Sequence, residues 1–140
     1  MDVLAAALRG DRDAVELLLA KEGVDLNSKD KDSRTPLSWA IGNRYDRVVE
    51  LLLAKEGVSL NTKDKDSRTL LLFTAEKGYE RIVELLLAKD SVDLNSKDKD
   101  SRTPLSWATE NGQEQVVKLL LAKDSVDPNS KDNFGRTPLL

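Results

Sequence analysis

Apolar residues fall in short dense stripes, separated by longer polar stretches, and the spacing is regular. Leu-Leu-Leu followed by Ala-Lys begins at Leu17, Leu51, Leu85 and Leu119, each 34 residues after the last. In the copy around Leu51, the stripe Val48, Val49, Leu51, Leu52 and Leu53 is too wide for a helix with one wet side. It suits a helix sandwiched between neighbours. Upstream, TPLSWA from Thr35 opens a shorter helix that runs to about Asn43. Thr35 can cap free amides with its hydroxyl, and Pro36 at the first helical position gives up an N–H that would be unpaired anyway. Arg44 and Tyr45 make the turn, and Asp46 places a negative charge at the start of the second helix. Lys55 suits the C-terminal end of that helix, and Gly57 can take a left-handed stop. Polar turn formers follow, among them Asn61, Lys63, Asp64, Lys65, Asp66 and Ser67. They predict an extended loop or hairpin, not a third helix.

Other landmarks keep the same step. Asn27, Asn61, Asn95 and Asn129 share one register, as do Asp30, Asp64, Asp98 and Asp132, and as do Thr35, Thr69, Thr103 and Thr137. The segment from Asp25 to Ala40 recurs letter for letter from Asp93 to Ala108, which requires duplication or design. One unit has too little apolar surface to offset the entropy of ordering its chain, so neighbours must cover its remaining faces. The expected fold is an all-α repeat solenoid of helix-turn-helix units joined by hairpin loops. Its parts are a helix pair over 1–22, repeats over 23–56, 57–90 and 91–124, and a truncated hairpin over 125–140 of one domain spanning 1–140. The sequence stops where the next helix would start, so Val116, Val117 and Leu119 to Leu121 should lack cover. This predicts fraying beyond about Asn129, or self-association through that face. A fragment of a longer array, or an engineered one, would end this way.

Composition narrows the chemistry. Without cysteine or histidine there are no disulfides, thiolate nucleophiles, Cys/His zinc sites or Ser-His-Asp arrangements. The 22 Lys and Arg against 25 Asp and Glu are mixed along the chain, giving a net charge of -3 and no basic footprint for nucleic acid or anionic membrane. Apolar stretches are too short to span a bilayer, and Met1-Asp2 begins no secretory leader, so a cytoplasmic chain is expected. The acidic tips interleave cations, as in Asp30-Lys31-Asp32-Ser33-Arg34, and lack the glutamate of a calcium loop. Thr-Pro at 35, 103 and 137 fits a helix cap better than a phosphorylation site. No cofactor or metal is expected.

With these residues in hand the chain resembles an ankyrin-repeat protein. The family pattern is matched by Asp30, Thr35-Pro36-Leu37, Ala40, Val48-Val49, Leu51-Leu52-Leu53, Gly57 and Asn61, and again in later copies, over essentially the whole chain. The unit is one residue longer than usual, the extra one falling between the Leu triplet and Gly57, so each second helix should end a residue late. Ser33, Ser67 and Ser101 replace the hairpin-tip glycine, which returns at Gly135. Ser38 and Ser106 replace the histidine, and the middle copy, Thr69-Leu70-Leu71-Leu72-Phe73, has no proline and should be tied down least. The wording of the repeats is similar to those attached to fungal NACHT-type signalling ATPases. A tetratricopeptide array has the same period, but its signature fits Trp39 to Tyr45 one residue short, and the polar stretch before each Thr is too long.

The resemblance implies a non-catalytic protein-interaction module that uses the concave face of hairpin tips and first helices. Carried over by position, the partner-binding residues are Lys31, Asp32, Arg34, Gly42 and Asn43; Lys65, Asp66, Arg68, Glu76 and Lys77; Lys99, Asp100, Arg102, Glu110 and Asn111; and Asn133, Phe134 and Arg136. Stacked in register they would form Lys, Asp and Arg columns for a charged protein segment. The competing account is a self-neutralising solvated face, since exposed pairs contribute about 0–1 kcal/mol, on a structural or engineered scaffold with no partner of its own. Trp39, Phe73 and Trp107 share a register that suits helix packing. Tyr45 and Tyr79 take the place of the family's turn histidine and should hydrogen-bond a neighbouring loop.

Overall fold

The computed structural model describes residues 2–138, which form eight α-helices and no strand. They divide between two compact units, Met1–Ser59 and Leu60–Leu140. The first contains α1 (Val3–Arg9), α2 (Arg12–Leu19), α3 (Pro36–Gly42) and α4 (Asp46–Leu53). Within it α1 packs on α2 and α3, and α4 packs on both α2 and α3. Small side chains let the first helices approach: Ala6, Ala7 and Ala40 are wholly buried, joined by the larger Ile41 and by Val15, Val49 and Leu52 from the second helices. The second unit repeats the plan with α5 (Leu70–Lys77), α6 (Glu80–Leu87), α7 (Pro104–Glu110) and α8 (Glu114–Leu121), in which α5 packs on α7 and α6 on α8. Leu71, Leu72, Ala75, Val83 and Leu86 lie with Leu105, Ala108, Val116 and Leu120 in its core.

Each first helix after α1 starts on a threonine cap. The Thr35 Oγ1 accepts from Ser38 N–H at 3.2 Å, and Thr103 does the same for Ser106. The serines that replace the family histidine close the cap further, with hydroxyl to hydroxyl distances of 3.0 Å. Thr69 caps the middle copy through Leu72 N–H, but there position 72 is a leucine and this second bond does not exist. The start of α5 is thus held by fewer polar contacts, although Leu70 buries itself where proline stands elsewhere. Asp2 and Asp11 cap α1 and α2 through Ala5 and Ala14 N–H.

The second helices all end on the third leucine of the triplet, with an alanine C-cap. The extra residue of the 34-residue unit is taken up by the turn that follows, in which Lys55 N–H bonds Leu52 O. Gly57 has φ +88°, yet Ser91 and Ser125 hold the same place with ordinary negative φ. Beyond the turn, an asparagine ladder ties each loop to the next. Asn27 Nδ2 donates to Gly57 O (2.8 Å) while its Oδ1 accepts from Ser59 N–H (2.7 Å). In the second unit Asn61 makes the same pair with Ser91 and Asp93, and Asn95 with Ser125 and Asp127.

The last repeat departs from its predecessors on one side. Leu121 is 45% exposed, against 7% for Leu87, and Val117 is half-buried where Val83 is wholly buried. Fraying beyond Asn129 is not what the structure shows: Asp132 to Arg136 close a hairpin tip, and Asn133 N–H donates to Asp100 O at 3.0 Å. Leu139 and Leu140, where a further helix would begin, lie outside the described residues.

Candidate partner-binding surface

The hairpin tips are built by one aspartate each. Asp30 Oδ1 accepts from the N–H groups of Asp32 and Arg34, Ser33 N–H bonds Asp30 O, and Asp30 N–H bonds Arg34 O. This is a tight turn followed by a residue in the left-handed region, and it recurs at Asp64, Asp98 and Asp132. The left-handed position holds Ser33, Ser67 and Ser101 at φ near +60°, and Gly135 at +74°. The backbone N–H of Arg34 holds the Asp30 carboxyl below its ordinary value, aided by Trp39 and Asp32. For Asp132, desolvation pushes upward but the bonds from Arg136 and Phe134 prevail, and the carboxyl again lies low.

The first-helix aromatics fasten these tips. Trp39 Nε1 donates to Asp30 Oδ2 at 2.7 Å and the Arg34 guanidinium lies over its ring, 4.9 Å from the centroid. Trp107 donates to Asp98 Oδ2 at 2.7 Å and lies under two guanidiniums, Arg102 at 4.6 Å and Arg68 at 4.9 Å. The expected packing role is therefore specific: the indole clamps tip to helix by a charge-assisted hydrogen bond and cation–π contact. Phe73 has no N–H to offer Asp64. It meets Tyr79 edge-on at 5.9 Å and Lys77 over its face.

The carried-over residues separate into two groups. Arg68 and Arg102 are drawn inward, pairing through Nη2 with Glu76 and Glu110 and reaching the carbonyls of Leu72 and Ser106. Arg102 is only 8% exposed, and the Nε of each arginine is buried without a hydrogen-bond partner. Their work is to hold the tip. Arg34 and Arg136 are exposed but rest on Trp39 and Phe134. Lys31, Gly42, Asn43, Lys65, Asp66, Lys77, Lys99, Asp100, Glu110, Asn111 and Asn133 are exposed, Asp32 and Glu76 half-buried. Phe134 stands out at 77% exposure. Neighbouring tips in the second unit are linked sideways: Lys99 Nζ is 3.0 Å from Asp66 Oδ1, which holds the lysine above its usual value, and Asn133 Nδ2 donates to Lys99 O.

Residues that sequence reasoning left without a role prove to carry structure. The Asn and Asp registers were visible as periodic positions, but their bonds run 30 to 32 residues along the chain or close a turn locally. Gln113 was missed. Its Nε2 donates to Glu76 O, across Gly78, and it stands where the other copies have Tyr45 and Tyr79. Tyr45 meets the preceding turn through its ring, lying so close to Gly10 that an added Cβ would be 2.8 Å from it. Among the described residues no group of three or more acidic side chains could hold a metal ion, and no helix is long and apolar enough to cross a membrane.

Caps, helix pairs, asparagine ladders and tip turns, repeated at a fixed step, define a helical repeat protein. A family model for ankyrin repeats, three copies long, matches residues 3–98 and again 77–140. The chain belongs to the ankyrin-repeat family, whose members generally serve as protein-interaction modules and are typically non-enzymatic. No curated protein matches it.

Proposed function

We propose that the chain binds a protein partner, without catalysis and in the cytoplasm, through its hairpin tips and the adjoining ends of its first helices. The observation that carries this reading is Phe134, a large aromatic 77% exposed at a tip. Aromatic anchors with a polar surround dominate binding energy at protein interfaces. Here its polar neighbours are Asn133, which bonds the backbone carbonyls of Lys99 and Asp100, and Arg136 over the ring. Arg68 and Arg102 support the surface from beneath by fixing the tips. In affinity capture from the source cells, Phe134→Ala should weaken partner recovery by about tenfold or more, the loss typical of a central anchor, and Lys65→Glu with Lys99→Glu should weaken it further. If the tip variants recover the same proteins in the same amounts, the chain is a scaffold without a partner of its own.

Self-association through α8 belongs to the same proposal, supported by the exposure of Leu121 and Val117 relative to Leu87 and Val83. Sedimentation equilibrium of the wild type should then show concentration-dependent mass, absent in Leu121→Glu. A wild type that sediments as a monomer at every concentration removes it.

A further inference from the structure

Of the seven asparagines in the chain, Asn111 is the one followed by glycine. It ends α7 as Asn43 ends α3, and the two caps match in backbone, with φ -92° and ψ 7° at Asn111 and φ -96° and ψ 3° at Asn43. In each, Nδ2 donates to the carbonyl of the helix tryptophan, Trp107 at 3.1 Å and Trp39 at 3.0 Å. The next N–H also turns back into the helix in each, from Gly112 to Thr109 O at 3.2 Å and from Arg44 to Ile41 O at 3.1 Å. Both asparagines are exposed, and so are both residues after them. Each following residue is left-handed, with φ +67° at Gly112 and +59° at Arg44. What separates the two sites is one side chain: Arg44 has a Cβ beside its amide nitrogen and Gly112 has none. The asparagines of the ladder are held differently, because both ends of the Asn27, Asn61 and Asn95 amides are bonded to a neighbouring loop.

We infer that Asn111 is a site of spontaneous deamidation, through which the folded chain acquires an aspartyl or isoaspartyl residue at the end of α7. Hydroxide removes the Gly112 amide proton and the nitrogen attacks Asn111 Cγ. The N–Cγ bond forms, the Cγ–Nδ2 bond breaks, and ammonia leaves with a proton from water, which regenerates the hydroxide. Water then opens the five-membered imide at either carbonyl, giving aspartate, or isoaspartate whose main chain runs through the former side chain. Attack needs Asn111 ψ to rotate away from its helical value, so the last-turn bond from Gly112 opens first. That bond is exposed and closes a helix of seven residues, and terminal turns open at little cost in free energy. The bare glycine nitrogen then meets the carbonyl unhindered, whereas the Arg44 Cβ crowds the same approach to Asn43. Both products put a negative charge beside Glu110 at the C-terminal end of α7, where the helix dipole disfavours it. On the protein-interaction reading above, that charge arrives on the partner-binding face. Isoaspartate also adds a methylene to the main chain between Ala108 and Gln113. The bonds from Gln113 N–H to Ala108 O and from Gln113 Nε2 to Glu76 O depend on that spacing, so the modification releases the turn between α7 and α8 from the end of α5.

The test is to age the chain in neutral buffer, its fold checked by amide dispersion, and to map it at intervals by mass spectrometry with electron-transfer fragmentation, which separates isoaspartate from aspartate. Asn111 should be modified first and in both forms, while Asn43 persists. Exchanging the following residues should exchange the outcome. Gly112→Arg should protect Asn111 to the level of Asn43, since a Cβ there meets nothing within 4 Å and Arg44 already adopts the same left-handed backbone. Arg44→Gly should make Asn43 a second site. In NMR spectra of the isotope-labelled chain, the Gln113 side-chain amide should shift as the isoaspartyl form accumulates. Equal rates at Asn111 and Asn43, an Asn111 that reacts in urea but not in the folded chain, or variants that leave both rates unchanged overturn the site. A Gln113 amide that stays in place in the isoaspartyl form overturns the release of the turn. No readout here involves a partner, so the Phe134 variants stand or fall separately.

Discussion

Among the described residues, four without glycine's freedom occupy the left-handed region: Ser33, Ser67 and Ser101 at the tips and Arg44 in the turn between α3 and α4, at φ +59°. That conformation costs an L-residue about 1–2 kcal/mol. Ser67→Gly and Arg44→Gly should each raise stability by about 1 kcal/mol in urea unfolding, less the entropy glycine adds to the unfolded chain. The opposite change is expected at Gly10, where φ is +67° and the Tyr45 ring leaves no room for a Cβ. Gly10→Ala should lower the urea midpoint by more than Gly23→Ala, which meets nothing within 4 Å. The serine-for-glycine replacements were legible in the sequence, but the left-handed backbone that makes them costly is seen only in the fold. The Asn61 bonds were not: each asparagine reads as a polar turn former, and only the folded arrangement brings Ser91 O and Asp93 N–H within 2.7 Å of its amide. Removing both bonds in Asn61→Ala should cost about 1–3 kcal/mol.

At the level of the helix and its tip, the decisive pairing joins residues nine apart. Asp98 and Trp107 are linked by a hydrogen bond to a charged acceptor, a class that contributes about 1.5–3 kcal/mol. Trp107→Phe should cost about that much in urea unfolding and release the Arg68 and Arg102 contacts to an indole face. Phe73→Trp should act in the other direction, giving Asp64 the partner that Asp30 and Asp98 have. Helix placement was plain from the Leu triplets and the Thr caps, because both express local chemistry. The inward turn of Arg68 and Arg102 was hidden, since a charged residue at a loop tip reads as solvated. What betrays it is a glutamate eight residues on, Glu76 after Arg68 and Glu110 after Arg102, where the exposed Arg34 has Gly42.

Across the whole molecule, the titration of the tips sets the response to pH. Asp30 and Asp132 have folded values below that of an unfolded aspartate, near 3.9. Their stabilisation is complete above that value and disappears as pH falls through the lowered folded values, because the unfolded chain then binds more protons. Urea midpoints should decline below about pH 4, and the decline should be shallower in Asp30→Asn. Lys99 is shifted upward by Asp66, so its small contribution, from an exposed pair, is whole below about 10.4 and fades as pH rises through the higher folded value. Lys99→Gln should remove that alkaline component. The sequence announced the all-α repeat fold through its period, whereas which tip residues face outward depended on stacking that no single unit contains.

The asparagine ladder also governs how such a gene can change length. Excising residues 91–124 would bring Ser125 and Asp127 opposite Asn61, and these are the same residue types it meets now at Ser91 and Asp93. Insertions or losses in whole multiples of 34 therefore rejoin every amide to an equivalent carbonyl and N–H, while any other length leaves a junction mismatched. Recombination between the identical stretches at 25–40 and 93–108 falls automatically in this permitted set, so the array can grow or shrink by crossing-over and still fold.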